Sequence, residues 1–292
     1  MYCVALVSDI HDWHSDQLEL NLRRQDCRVF KIKYTDLVLR LQNSKKRIFN
    51  SHFKKIHGVW TRFIGNGSIE EITTKLTFLH LMEEMGIYIH NSAKIIEQTV
   101  DKVRTTGLLN LNGIPTPNTV VKIGNLKNLN LEKNYLIKPI FGSQGKNIFL
   151  LDKLIDLKKI HTVGNVFYLQ EFLKDPKKKD FWDLRVLVSN HKVISVMKRI
   201  SKNFITNVYQ GAETEKIPNN KQINDVAKKV SKIFKLGYGG IDIIYHKKKY
   251  YILEVNSIPS WKAMQKLEKR DISKIIVQDF LQNLKKKCRV NY

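Results

Sequence analysis

Up to Asn91 the chain alternates between two kinds of segment. MYCVALVSD, CRVFKI, HGVWTRFI and IYIHN are short apolar runs of strand character, and polar or amphipathic stretches separate them. One such stretch, about Ser15 to Arg24, has helical spacing. A second opens on Ser68 with Glu71 three residues later, a capping-box pattern, and reads as a helix to about Met85 that Gly86 ends. Strands that alternate with helices cannot pair as hairpins, so they must build a parallel sheet covered by helices. Residues 1–91 are therefore expected to form a small α/β domain.

Beyond that point the pattern changes. A helix is expected from about Asp101 to Leu111, stopped by Gly113 with Pro115 and Pro117 beyond it. The chain then turns strand-rich: TVVKI, NYLIKPI, NIFLLD, VFYLQEFL, FWDLRVLVS and KVISVMKRI. After a helix from about Gln222 to Leu236 come two more strands, GGIDIIY and KYYILEVN, and a terminal helix at about Ile272 to Leu284. This part is expected to be an α+β domain over residues 92–288. No internal repeat or low-complexity linker interrupts it.

At 292 residues with 42% apolar content the chain can bury a sizeable core. Cys3, Cys27 and Cys288 offer no paired spacing, which points away from a disulfide framework. The opening MYCVALVSDI has no basic leader and reaches Asp9 early, and no apolar run has the length of a membrane span. A cytoplasmic location without membrane partners is expected. The net charge of +24 invites a nucleic-acid reading, yet its lysines are scattered apart from runs such as Lys177 to Lys179, Lys247 to Lys249 and Lys285 to Lys287. None interleaves with aromatic residues as a single-strand groove would. Nucleic acid is not the expected partner, and a homo-oligomer is compatible with everything above.

The residues that carry chemistry lie near the C-terminus. In ILEVNSIPSWKAMQ, Glu254 and Asn256 are two apart on a strand and so share a face. Asp242 lies on the preceding strand, and YHKKKYY reads as the hairpin connection that would set it beside them. Three hard oxygen donors at strand ends suit Mg²⁺. Two structural acids with hydrogen-bond partners would produce the same pattern. Lys138 ends an apolar strand and precedes a loop with Gly142, Ser143 and Gly145, where backbone N–H groups can approach phosphate oxygens. The spacing is not that of a P-loop, and a glycine-rich turn reads alike. Gln170, Glu171, Phe172 and Leu173 leave a strand with backbone groups that could meet an adenine edge. Asp183 and Arg185 share one face of their strand.

Taken in order, Lys102 in VDKVRTTGLL, Lys138 with its glycine loop, QEFL, DLR, NVYQG from Asn207 to Gly211, GIDI and EVNSIP resemble the ATP-grasp enzymes, and more closely the RimK-like glutamate ligases among them. The resemblance runs from about Asn91 to the final helix. It implies an ATP-grasp fold: an N-terminal α/β preATP-grasp domain, then two α+β subdomains clasping ATP, about 105–169 as the lid and 170–288 as the larger one. By the same resemblance Lys102 and Lys138 contact phosphates, and Gly142, Ser143 and Gly145 close over them. Residues 170–173 hold adenine, and Asp183, in preference to Asp180, reaches the ribose. Asn207 belongs to the nucleotide site, and Asp242, Glu254 and Asn256 hold Mg²⁺, two ions in the family's pattern, with Mn²⁺ an admissible substitute.

The implied reaction is amide formation: a substrate carboxylate takes the γ-phosphoryl of ATP to give an acylphosphate, which an amine, expected to be L-glutamate, then attacks. Lys138, Arg185 and Arg199 are the implied catalytic groups, with Arg62 and Gly211 as substrate candidates. Ile205 stands where the ribosomal-protein-modifying members carry an arginine, and Trp261 after the proline is closer to the branch resembling tetrahydromethanopterin glutamate ligases. A small-molecule carboxylate is thus the expected acceptor, with a protein or peptide C-terminus, or a non-catalytic nucleotide-binding scaffold, as the alternatives. His11, Asp12 and His14 suggest a metal site on composition, but read better as a helix N-terminus.

Overall fold

A computed structural model describes residues 1–40, 56–65, 67–126, 129, 131, 134–142, 145–151, 165–174 and 179–290. Ser143, Lys177 and Lys178 lie outside them. The chain divides into two compact units, residues 1–97 with 236–238 and 258–292, and residues 98–235 with 239–257.

In the first unit, β1 (Cys3–Val7), β2 (Arg28–Ile32), β3 (Gly58–Thr61) and β4 (Tyr88–His90) form a parallel sheet in the order β2-β1-β3-β4. All five residues of β1 are buried, as the inner strand of a sheet covered on both faces must be. α1 (Trp13–Arg23) is capped by the Asp12 carboxylate, which accepts from the N–H groups of His14 and Ser15. Asp12 and His14 are thus the helix N-terminus that their sequence suggests. α2 (Ile69–Glu84) carries the expected capping box: the Glu71 N–H donates to the Ser68 hydroxyl, and the Ser68 N–H to the Glu71 carboxylate. α3 (Ala93–Val100) follows β4 and has no counterpart among the elements read from the sequence.

The domain boundary differs from expectation. α7 (Ile272–Val290) and the short α6 (Lys262–Leu267) belong to the first unit, not to the domain that precedes them in sequence. The reason is the apolar stripe of α7: Ile276, Val277, Phe280 and Leu284 are buried, with Phe280 4.9 Å from the Trp60 ring of β3. Gly58 makes that approach feasible, since a Cβ there would lie 3.0 Å from Phe280 and 3.2 Å from Leu284.

The second unit begins with α4 (Lys102–Leu111) and holds two sheets. β5 (Thr119–Ile123), β6 (Tyr135–Lys138), β7 (Phe149–Leu151) and β8 (Val166–Glu171) pair antiparallel in the order β5-β8-β6-β7. β8 continues through Gln170 and Glu171, so the smaller sheet ends two residues past the expected subdomain limit. β9 (Phe181–Ser189), β10 (Lys192–Ser201), β11 (Glu213–Lys216), β12 (Tyr238–His246) and β13 (Lys249–Asn256) form the larger sheet, ordered β11-β10-β9-β12-β13. The amphipathic α5 (Lys221–Ile233) lays buried Ile223, Ala227 and Val230 toward it.

YHKKKYY is the hairpin connection read from the sequence. Its turn is Lys247 and Lys248, both left-handed at φ 45° and 65°, the geometry that matches strand twist in a two-residue hairpin. The resulting register sets Asp242 opposite Glu254 and Gly240 opposite Asn256. Opposed residues of an antiparallel pair project to one face, so the pairing gathers the three oxygen donors as expected. Among the described residues, no helix is long and apolar enough to cross a membrane.

Candidate active site

A cavity of about 170 Å³ opens in the second unit between the two sheets, and most residues singled out in the sequence line it. They include Lys102, Lys138, Gly142, Gly145, the run Gln170 to Leu173, Asp183, Arg199, Asn207, Asp242 and Glu254. Their convergence comes from strand ends. β6, β8, β9, β10, β12 and β13 all contribute, and the N-terminus of α4 adds Lys102.

Two lysines meet here. Lys102 Nζ donates to the Gly142 carbonyl at 3.0 Å and stands 3.5 Å from the Glu254 carboxylate. Lys138 Nζ donates to Gln170 Oε1 at 2.6 Å, whose amide donates to the Tyr168 hydroxyl at 3.0 Å, itself 2.7 Å from the Thr106 hydroxyl. Desolvation lowers the Lys138 pKa to about 8, with Glu254 opposing and Lys102 reinforcing the shift. The Gln170 side chain is therefore a bracket for Lys138. Alternation along β8 is its legible signal, because Tyr168 and Gln170 share a face.

The phosphate contact expected of Lys138 has a pH signature. A phosphate beside it would favour the charged form, so ADP affinity would be flat below pH 8 and weaken above it by up to about tenfold per unit. Folding stability runs the other way: the unfolded lysine holds its proton to about 10.5, so between pH 8 and 10.5 this group makes stability rise with pH. Calorimetric titration with ADP on both sides of pH 8 reads the first effect, and a flat profile would remove Lys138 from the phosphates.

The glycine loop approaches the segment after β10. Gly145, at φ 69°, has no room for a side chain: a Cβ would fall 2.7 Å from Ile205 Cγ2 and 3.0 Å from Gln210 Nε2. Ile205, the departure noted in the sequence, thus forms the floor beneath this loop. Asn207 turns its own carboxamide inward to accept from the Tyr209 N–H at 2.8 Å, and Gly211 closes that turn at φ 91°. Gly211 is exposed and does not line the cavity.

In the adenine segment, the Glu171 N–H donates to the Asn118 carbonyl at 2.7 Å and the Phe172 N–H to the Asn134 carbonyl at 2.8 Å. Both donors are thus engaged within the protein and are not available to a purine edge. Phe172 is stacked with Phe181 at 5.8 Å and meets Phe204 edge-on at 6.2 Å. Phe172 is the one member of this aromatic wall singled out in the sequence, although Phe181 shares a strand face with Asp183.

Asp183 does not match the expected ribose contact. It is 4% exposed, accepts both the Nε and Nη2 of Arg199, and accepts the Thr206 hydroxyl at 2.8 Å. Those three bonds tie the Asp183 carboxylate into a buried network, whereas Asp180 stands exposed at the cavity wall. Arg199 also reaches Asp242 at 2.9 Å, and Arg185 grips Asp242 through Nε and Nη2, the latter at 2.7 Å. Burial pushes the Asp242 carboxyl up, but the two guanidinium groups outweigh it and hold the pKa below the usual range. Burial pulls Arg199 down, but the Asp242 and Asp183 carboxylates outweigh it and hold Arg199 above its own ordinary value.

Asp242 and Glu254 both line the cavity, while Asn256 continues their face without reaching the lining. Among the described residues no three acidic, histidine or cysteine side chains form a metal-binding cluster. Two carboxylates with an amide alongside still fit a Mg²⁺ that takes its remaining ligands from phosphate and water.

Arg62 lies in the first unit and is 4% exposed. Its Nη1 donates to the Pro259 carbonyl at 2.8 Å and the Tyr238 hydroxyl at 3.2 Å, and the guanidinium stacks 4.8 Å from the Trp261 ring. His14 Nε2 accepts from the N–H groups of Trp261 and Lys262, capping α6. These contacts account for both side chains as anchors of the segment after β13.

A family model described as the RimK-like ATP-grasp domain matches residues 99–280. A tetrahydromethanopterin:alpha-L-glutamate ligase of Methanococcus maripaludis is 27% identical over 95% of this chain and 97% of its own. The protein of that name in Methanocaldococcus jannaschii is 32% identical over 65% and 69%. A probable alpha-L-glutamate ligase of Haemophilus influenzae is 28% identical over 68% of each chain. Among solved structures, the ATP-grasp ligase PsnB with minimal precursor, Mg and ADP superposes with a TM-score of 0.70 at 18% identity, covering 97% of this chain and 98% of that one. D-alanine–D-alanine ligase of Bacillus anthracis with ATP gives 0.71 at 14%, covering 98% and 100%.

Proposed function

Because the chain belongs to the RimK-like ATP-grasp family, we propose that it is an ATP- and Mg²⁺-dependent ligase joining the carboxylate of a small-molecule acceptor to the amine of L-glutamate. The observation that carries this reading is the convergence of Lys102, Lys138, Asp242 and Glu254 on one cavity beneath the glycine loop. The glutamate and the small-molecule acceptor rest on the names of the relatives, two of which are tetrahydromethanopterin:alpha-L-glutamate ligases. A pterin-like acid is the first acceptor to try, and the cytoplasm is the compartment proposed.

In this reading Lys102 and Lys138 neutralise the nucleotide phosphates, Leu173 and the wall of Phe172 and Phe181 receive adenine, and Asp180 replaces Asp183 as the ribose acceptor. Asp242 and Glu254, with Asn256 beside them, would hold Mg²⁺, two ions by analogy with the family and Mn²⁺ as a substitute. The metal supplies charge neutralisation for the transferring phosphoryl group. The acceptor carboxylate attacks the γ-phosphorus, ADP leaves, and the acylphosphate carbon is then attacked by the amine with loss of phosphate. The loop at Gly142 and Gly145 shields that intermediate from water.

The test is to incubate purified protein with MgATP, L-glutamate and a metabolite extract, following ADP release and new masses. ADP release accompanied by a glutamylated product is the expected result. Failure to bind nucleotide at all would overturn the proposal.

A further inference from the structure

Arg185 and Arg199 are not equivalent, and their hydrogen bonds say why. Arg199 forks onto Asp183 with both Nε and Nη2 and reaches Asp242 only through Nη2. Asp183 is itself fixed by Thr206. Arg199 therefore stays in place whatever happens at Asp242. Among the described residues Arg185 has no such second anchor: its hydrogen bonds, from Nε to Oδ1 and from Nη2 to Oδ2, both end on Asp242.

Asp242 Oδ2 already accepts from Arg185 and Arg199, and Oδ1 accepts from Arg185. A carboxylate offers about four lone-pair sites, so one remains. A divalent cation entering there would also face two guanidinium charges within a few ångströms, in surroundings that screen poorly. One arginine has to yield, and only Arg185 can do so without stranding a second acid.

We infer that Arg185 and the divalent cation compete for Asp242, and that the cation, in taking this carboxylate, frees the Arg185 fork to receive an anion, the acceptor carboxylate or the acylphosphate made from it. Metal binding thereby creates the anion site, and acceptor binding follows metal binding in order. The inference rests on Asp242 being a metal ligand, as proposed above. It assigns the two arginines different tasks: Arg199 braces the site, and Arg185 moves between partners.

The probe is Mn²⁺ alone, titrated into the nucleotide-free protein while the free ion is followed by paramagnetic resonance. Removing the competing charge in Arg185→Gln is expected to tighten Mn²⁺ binding on the order of tenfold; unchanged or weaker binding would overturn the inference. Asp242→Asn separates the two readings. If it keeps the parent Mn²⁺ affinity, Asp242 is no ligand and the proposed metal site fails with the inference. If it loses Mn²⁺ while Arg185→Gln gains nothing, the metal site stands and only the exchange is refuted.

A second measurement needs no variant. Phenylglyoxal labelling of Arg185, read by peptide mass, should rise about fivefold on adding Mn²⁺ and fall again when inorganic phosphate is present with the metal. Labelling that ignores Mn²⁺ would equally overturn the exchange.

Discussion

Replacing Glu254 by Gln is expected to lower ATP-dependent product formation about 10³-fold while leaving the fold intact. The substitution keeps the size of the side chain and removes only its charge. Glu254 stands opposite Asp242 in the register of β12 and β13 and 3.5 Å from Lys102, so in the proposed function it would serve cation and phosphate together. At 29% side-chain exposure its loss strands nothing in the core. A second consequence distinguishes this electrostatic role from a structural one. Glu254 is the leading group holding the Lys138 pKa up against desolvation. In the variant, the pH above which ADP affinity weakens should therefore move below 8. Turnover within tenfold of the parent would dissociate Glu254 from the chemistry.

The largest expected effect on stability comes from Arg199→Met. Arg199, Asp183 and Asp242 have side-chain exposures of 5%, 5% and 6%, so their charges are screened almost solely by each other. Removing the central cation leaves Asp183 with the Thr206 hydroxyl and Asp242 with Arg185 alone. Breaking a buried pair from one side costs about 3–5 kcal/mol, because a carboxylate is left without compensation away from water. Urea unfolding should report a loss of that order. The double variant Arg199→Met with Asp183→Asn should recover part of it, since no second charge is then stranded. A single-variant loss below about 1 kcal/mol, the scale of exposed pairs, would show that water reaches this network.

The candidate site was legible in proportion to how local its signals are. Lys138, Asp242, Glu254 and the glycine loop were found because strand ends and alternation are readable in a few residues, and the cavity gathers them. The resemblance to ATP-grasp enzymes supplied the roles, and the match over residues 99–280 supports the family. The buried pairing of Asp183 was not legible, because its D-x-R setting gives no hint of Arg199 on the neighbouring strand. Its partner lies 16 residues away, and that of Arg185 lies 57 away.

The sequence by itself determined the alternation that makes the first sheet parallel, the caps at Asp12 and Ser68, and the hairpin that faces Asp242 toward Glu254. Each follows from backbone periodicity and neighbours a few residues apart, which covalent geometry fixes. Only the tertiary structure decided that α7 packs with the first unit, that Gln170 brackets Lys138, and that one arginine is braced while the other, among the described residues, bonds to Asp242 alone. Those outcomes depend on strand order: β9 lies between β10 and β12, which puts Asp183, Arg199 and Asp242 in contact. Burial then makes their pairing obligatory, because a charge removed from water must find its counterion among whichever side chains the sheet has placed beside it.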